Sequence, residues 1–174
     1  MNLKNLKAFY ELGYGIYVVT SKKDGRINGQ IANTVFQVTA EPLRVAISIN
    51  KNNLTHEFIK ESRVFAVSVL CQNTPLTFIG CFGFKFGRDI DKFEGFNYKT
   101  GETWAPIVLD KAVSYLEARV TKKMDVGTHI IFVSEVVNAD VISEKVCMTY
   151  DYYHQIKGEK TLKARRPSVL RKRR

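Results

Sequence analysis

Residues 43–50, Leu43-Arg44-Val45-Ala46-Ile47-Ser48-Ile49-Asn50, put Leu43, Val45, Ile47 and Ile49 on one face of a strand and Arg44, Ala46, Ser48 and Asn50 on the other. A strand patterned this way wants one face covered and the other free, the situation of an antiparallel sheet. Neighbouring segments repeat the theme. Residues 15–21 are a β-branched run closed by the turn signal Lys23-Asp24-Gly25-Arg26, and the chain returns through residues 31–39, so the two read as a hairpin. Residues 63–70 form a further apolar strand. Two long strands, 113–121 and 128–141, are joined by a turn over residues 122–127, and residues 147–150 read as a last short strand.

Helical signals are few. Leu3, Leu6, Phe9 and Leu12 fit a short opening helix, residues 54–62 a second with Asn53 as N-cap, and Thr74-Pro75 opens a third to about Cys81. Residues 82–106 have no clear period, and so long a loop is usually functional. Six or seven strands with hairpin-short connections predict a mainly β fold that closes, fully or in part, into a barrel. Alternation of strand and helix is missing, which excludes a Rossmann arrangement.

The net charge of +10 suggests a polyanion partner until it is located. Nine of the 27 Lys and Arg, and one acid, Glu159, fall in residues 157–174; that segment carries +8 and leaves +2 for residues 1–156. The sequence therefore divides into a nearly neutral domain, 1–156, and a basic C-terminal tail, 157–174, read as a solvated end. A non-catalytic β-barrel module for nucleic acid is the rival reading, and the small charge of the body argues against it. No apolar run reaches signal-peptide or membrane-span length, so no membrane is expected and a cytoplasmic location is. Cys71, Cys81 and Cys147 form no C-x-x-C pair and are expected as reduced thiols. With three scattered histidines, no metal site is expected.

Four groups of residues can carry chemistry. Ser48 and Asn50 project together from one strand, and Lys51, Thr55 and His56 follow at the start of a helix, whose free N–H groups favour a phosphate; ordinary capping beside an exposed lysine is the plainer account. Arg88 and Lys92 lie four apart in a glycine-containing loop beside Phe84, Phe86 and Phe93, suited to closing over an anion or to an ordinary charged loop. Asn33, Val35 and Gln37 share a strand face and offer amides to a heterocycle, with edge-strand polarity as the alternative. His129 opens a long apolar strand in Gly127-Thr128-His129, where a structural histidine is the commoner case. No catalytic triad or paired carboxylates accompany these groups, which directs attention to cofactor chemistry.

In order along the chain, residues 15–21, Asp24-Gly25-Arg26-Ile27-Asn28-Gly29, Ala32-Asn33-Thr34-Val35-Phe36-Gln37-Val38-Thr39, Ser48-Ile49-Asn50-Lys51-Asn52-Asn53-Leu54-Thr55-His56-Glu57, Gly87-Arg88-Asp89-Ile90-Asp91-Lys92-Phe93, Gly127-Thr128-His129 and Thr149-Tyr150-Asp151-Tyr152-Tyr153 resemble the flavin reductase-like family of FMN-binding split barrels. The resemblance spans roughly residues 10–155. It implies a six-stranded antiparallel Greek-key split β-barrel with short flanking helices, working as a homodimer with FMN near the subunit interface, FAD or riboflavin being the alternatives. By that similarity Asn33, Thr34, Val35 and Gln37 would serve the flavin ring; Ser48, Asn50, Lys51, Thr55 and His56 would surround the ribityl phosphate. Arg88 and Lys92 would close over the phosphate, and His129 would be the catalytic-site residue near flavin or nicotinamide. The implied activity is NAD(P)H-dependent flavin reduction, with NADH or NADPH as reductant and electrons passed to a rubredoxin-like or other carrier. Supply of free reduced flavin to a monooxygenase is the second version. Two departures stand out: Phe86 precedes Gly87 where many relatives have serine, and Leu162-Lys163-Ala164-Arg165-Arg166 replaces a proline-containing stretch. No cysteine motif follows, so no rubredoxin domain is expected within this chain.

Overall fold

The computed structural model describes residues 12–164, with side chains to residue 158. The expected opening helix and the end of the basic tail lie outside the described residues. Nine strands and three helices follow in the order β1 (Tyr17–Lys23), β2 (Arg26–Ala32), β3 (Val35–Thr39), β4 (Arg44–Asn50), α1 (Leu54–Ser62), β5 (Val64–Leu70), α2 (Leu76–Phe84), β6 (Tyr98–Thr100), β7 (Pro106–Val108), β8 (Ala112–Asp125), β9 (His129–Val141) and α3 (Tyr150–Ala164). Seven strands form one sheet in the order β2-β1-β5-β8-β9-β4-β3, and β6 and β7 make a separate ribbon.

Closure of the sheet follows from its two ends. β2 and β3 sit at opposite ends of the strand order, yet only Asn33 and Thr34 separate them in sequence. Three Cα–Cα steps of about 3.8 Å each are all the chain has for the crossing. The ends must therefore meet, and since β2 and β3 are not neighbours in the ladder the barrel is split along that seam.

The seam also corrects the expected strand count of six. Residues 31–39, read as one returning strand, are divided at Asn33-Thr34: Ala32 pairs with Tyr17 on β1, whereas Val35 pairs with Ile47 on β4. The change of partner, not a change of residue type, ends the strand. The first hairpin turns through Asp24 and Gly25, both at positive φ (49° and 73°), the conformation of a two-residue hairpin turn.

Further differences have local causes. β8 runs to Asp125, four residues past the expected end, because residues 122–125 stay paired to β9 up to Asp125↔Ile130. The turn shrinks to Val126-Gly127-Thr128, with the Gly127 N–H donating to the Asp125 carboxylate at 2.9 Å. Residues 147–150 make isolated bridges instead of a strand, and Tyr150 already begins α3. Pro75, not Thr74, caps α2, since the Thr74 hydroxyl is bound to the Cys71 carbonyl at 2.6 Å.

Inside the barrel, Val19, Val45, Ile47, Ile49, Phe65 and Phe132 form the core, and α1 closes one end with Ile59. Each such side chain contributes about 1.5–3 kcal/mol by leaving water. A second cluster, with Phe78, Ile79 and Phe82 of α2 against Val18 and Met148, ties α2 and α3 to the barrel wall. The long segment after α2 is pinned by Glu117, which is fully buried. Its carboxylate accepts from the Glu102 and Thr103 N–H groups, the Thr103 hydroxyl and the Asn138 amide at 2.6–3.1 Å. Burial alone would raise its pKa, but these hydrogen bonds, Thr103 foremost, outweigh it and hold the carboxyl below the ordinary glutamate value.

Candidate functional site

The register of β4 against β9 sorts the candidate residues by face. Ile47, Ile49 and Phe132 point into the core, and pairing sets Ser48 opposite Ile131 and Asn50 opposite His129. Ser48, Asn50 and His129 therefore lie together on the outer face. One strand further, the Thr34 carbonyl accepts from the Ser48 N–H at 3.2 Å, which places the Asn33-Thr34 crossing beside them. The His129 Nδ1 is paired to the Thr128 hydroxyl at 2.8 Å.

Where β4 ends, the Asn50 side-chain oxygen accepts from the Asn52 N–H at 2.9 Å, and the Lys51 N–H donates to the Thr128 carbonyl at 3.0 Å. This bend aims the chain into α1. Asn53 takes the extended N-cap conformation as expected, but its side chain makes no capping hydrogen bond. The opening turn of α1 thus presents backbone donors, and the positive end of the helix dipole, to whatever lies before it.

Before it lies a cleft of about 260 Å³, bounded by residues 52–55, by residues 83–88 with Lys92, and by Asn28 and Gln30 of β2. The helix start and the Arg88–Lys92 loop, distant in sequence, here face each other. Thr55 is buried and its hydroxyl accepts from the Asn28 amide at 2.7 Å. Gly87 sits so close to Asn28 that a Cβ there would fall 2.0 Å from the Asn28 side-chain oxygen. The Gln30 side-chain oxygen is buried without a hydrogen-bond partner. Phe84 and Phe86 expose most of their rings at the rim.

The structure divides the predicted cations. Arg88 is ion-paired with Glu57 at the cleft. Lys92, expected to close over the phosphate with Arg88, is 5% exposed and donates to the Gly29 and Phe82 carbonyls, each at 3.0 Å. It fastens the loop to β2 while lining the cleft. Burial pushes its pKa down, with the nearby Cys81 acting weakly the other way. Lys51 and His56 point to the opposite side of the first helical turn, where Lys51 pairs with Asp125 at 2.6 Å. Successive helical residues diverge by about 100°, and here Thr55 lines the first cleft while His56 lines the cavity on the other side. Val35 and Gln37 pair with Ile47 and Val45, residues of the core face, so they stand on the side opposite Ser48 and Asn50. The Gln37 amide donates back to the Thr39 carbonyl at 3.3 Å.

Sequence reasoning missed Asn28, Gln30, Asn52 and Asn53 as lining residues. Asn28 and Gln30 carry the signal that was available: two amides at i and i+2 fall on one face of a strand.

These residues fit a flavin phosphate and its sugar-alcohol chain: open helix donors, an arginine, a buried lysine and an orphaned amide oxygen beside exposed aromatics. A cleft of this size is below the usual range of about 300–1,000 Å³ for a whole ligand. It would hold the polar end of a flavin, with Ser48, Asn50 and His129 outside it on the sheet.

Comparison with known proteins identifies the family. The family model described as "Flavin reductase like domain" matches residues 9–157. The high molecular weight rubredoxin of Moorella thermoacetica is 51% identical over 157 residues, covering 90% of this chain and 69% of that protein. The ferric-chelate reductase (NAD(P)H) of Archaeoglobus fulgidus is 50% identical over 157 residues, covering 90% and 93%. Among solved structures, the NADH:FAD oxidoreductase SgcE6 of Streptomyces globisporus C-1027 superposes with a TM-score of 0.76 at 26% identity, covering 84% of this chain and 86% of that one. The split barrel, the matched residues and these relatives together place the chain in the flavin reductase-like domain family.

Proposed function

We propose that this protein is an NAD(P)H-dependent flavin reductase that holds FMN and hands its electrons to a separate acceptor. The observation that carries the reading is the meeting of the α1 start with the Gly87–Lys92 loop around one cleft, lined also by Gln30, whose buried side-chain oxygen has no partner. A flavin held there would supply the chemistry of hydride acceptance from the nicotinamide and of electron release singly or in pairs. The chain's own residues bind and orient. Arg88, Lys92, Thr55 and the first N–H groups of α1 hold the phosphate end, and Gln30 and Asn28 serve the polar chain. Asn33, Thr34, Ser48 and Asn50 line the ring, and His129 stands on the same outer face as a donor or acceptor toward flavin or nicotinamide.

Relatives named for rubredoxin and for ferric chelates support an acceptor that takes one electron at a time. A homodimer is supported by Phe36 and Val38, 52% and 44% exposed on β3 at the end of the sheet, which gives an apolar margin beside the ring-lining residues. Cytoplasmic residence is supported by three free cysteines. Among the described residues no helix is long and apolar enough to cross a membrane. The barrel domain is assigned to residues 1–156 and the basic tail to 157–174, although α3 continues through residue 157 to Ala164.

The test is an anaerobic titration followed by absorbance. The protein should bind FMN at micromolar concentration, and NADH or NADPH should then bleach the flavin band. Absence of FMN binding would overturn the reading.

A further inference from the structure

On the side of α1's first turn away from the cleft lies a second cavity, about 470 Å³, between α1 and the β8–β9 hairpin. Lys51, Lys60 and Lys123 line it, with His56, Asp125 and Phe132. The carboxylates within reach are already engaged: Asp125 pairs with Lys51, and Glu57 with Arg88. Among the described residues neither Lys60 nor Lys123 forms an ion pair. Two exposed ammonium groups thus face one concavity whose lining carboxylate, Asp125, is already paired with Lys51.

An independent sign comes from His56. Its Nδ1 is buried without a hydrogen-bond partner, while its ring leans on Phe132 with centroids 5.9 Å apart. Buried polar atoms are nearly always paired, so an orphan nitrogen on a residue of the cavity wall marks a polar group that still lacks its partner. The imidazole's proton affinity is lowered, first by burial and next by Lys60, with Lys51 and Lys123 adding and Glu57 opposing. Burial disfavours charge of either sign, but the three lysines that disfavour a further cation here favour an anion.

We propose that this cavity binds a small, multiply charged oxyanion carrying two or more carboxylate or phosphate groups. Lys60, Lys123 and Lys51 supply the charge, His56 supplies a directed hydrogen bond, and Phe132 with Ile130 gives the carbon skeleton an apolar floor. Two sources share this chemistry: a polycarboxylate that chelates ferric ion, arriving as electron acceptor, and the phosphates of the nicotinamide dinucleotide, arriving as donor. Ile130 of the cavity and His129 of the outer face are consecutive on β9, so one strand separates the two sites. The role as acceptor or donor site rests on the flavin reading above; anion binding itself does not.

The experiment is calorimetric titration of the full chain with citrate and, separately, with ADP-ribose, in wild type and in a Lys60→Gln/Lys123→Gln variant. Both lysines are exposed, so the variant should keep the fold, checked by unchanged FMN affinity. At least one probe should bind wild type, and the variant should weaken it about tenfold or more, as expected from removing two charges from one site. Loss for citrate assigns the cavity to a polycarboxylate acceptor, and loss for ADP-ribose assigns it to the reductant's phosphates. If neither probe binds, or the variant binds both as wild type does, the proposal is overturned. Because the titration needs no flavin, citrate binding in a protein that takes up no FMN would sink the flavin reading and uphold the cavity.

Discussion

Gly87 and Asn28 are in such close approach that a methyl group at Gly87 would lie 2.0 Å from the Asn28 side-chain oxygen. The same Asn28 amide holds the Thr55 hydroxyl at 2.7 Å, so a single displacement would travel from the loop to the start of α1. Gly87→Ala should therefore leave the barrel folded and disorder the cleft. Fluorescence titration should show FMN binding weakened by about tenfold or more, with unfolding stability lowered by about 1–3 kcal/mol. FMN affinity equal to wild type would show that this contact does not shape the site.

Arg88→Gln separates the phosphate end from the ring. A charge-assisted hydrogen bond is worth about 1.5–3 kcal/mol, so FMN affinity should fall about tenfold to a hundredfold. Riboflavin, which lacks the phosphate, should bind wild type and variant alike. Equal losses for both flavins would place Arg88 elsewhere in the site.

His129→Ala addresses the outer face. With the cleft intact, FMN affinity should stay within about twofold of wild type, while stopped-flow reduction by NADH or NADPH should slow by about tenfold or more. Unchanged reduction would remove His129 from the reaction.

Glu117 gives a pH dependence of stability. Its folded pKa lies below the ordinary value of 4.5, so its contribution is fully present above 4.5 and is lost as pH falls through the folded pKa. Glu117→Gln sets an amide nitrogen against two of the four donors and should lower stability at neutral pH by about 1–3 kcal/mol in urea unfolding. The variant should also lose part of the wild-type decline below pH 4.5. A variant whose acid profile parallels wild type would show that Glu117 does not titrate on unfolding in that range.

Much of the barrel was legible because period-2 alternation reports burial directly: residues 43–50 and 63–70 form strands within one residue of their expected limits. Helix α1 was legible because Asn53 is a favourable N-cap residue directly before it. The break at Asn33-Thr34 was not, since neither residue is a strong strand breaker and the cause is a switch of pairing partner many residues away. At the site, local spacing grouped Lys51, Thr55 and His56, but helical rotation sends Thr55 and His56 to different cavities. Lys92 looked like a surface cation because its carbonyl partners, on Gly29 and Phe82, are invisible to local pattern. Glu117 was overlooked for the same reason, its four donors coming from two distant segments.

The strap formed by Asn33 and Thr34 has a mechanical consequence. A barrel whose last two staves are tied by a short tether and not zipped by a ladder can widen or narrow along that line without breaking backbone pairing. The tether limits the girth, and its own Thr34 carbonyl grips Ser48 on the neighbouring stave. A molecule resting against Ser48 and the tether would thus act as a clasp, and its arrival should be felt around the whole circumference.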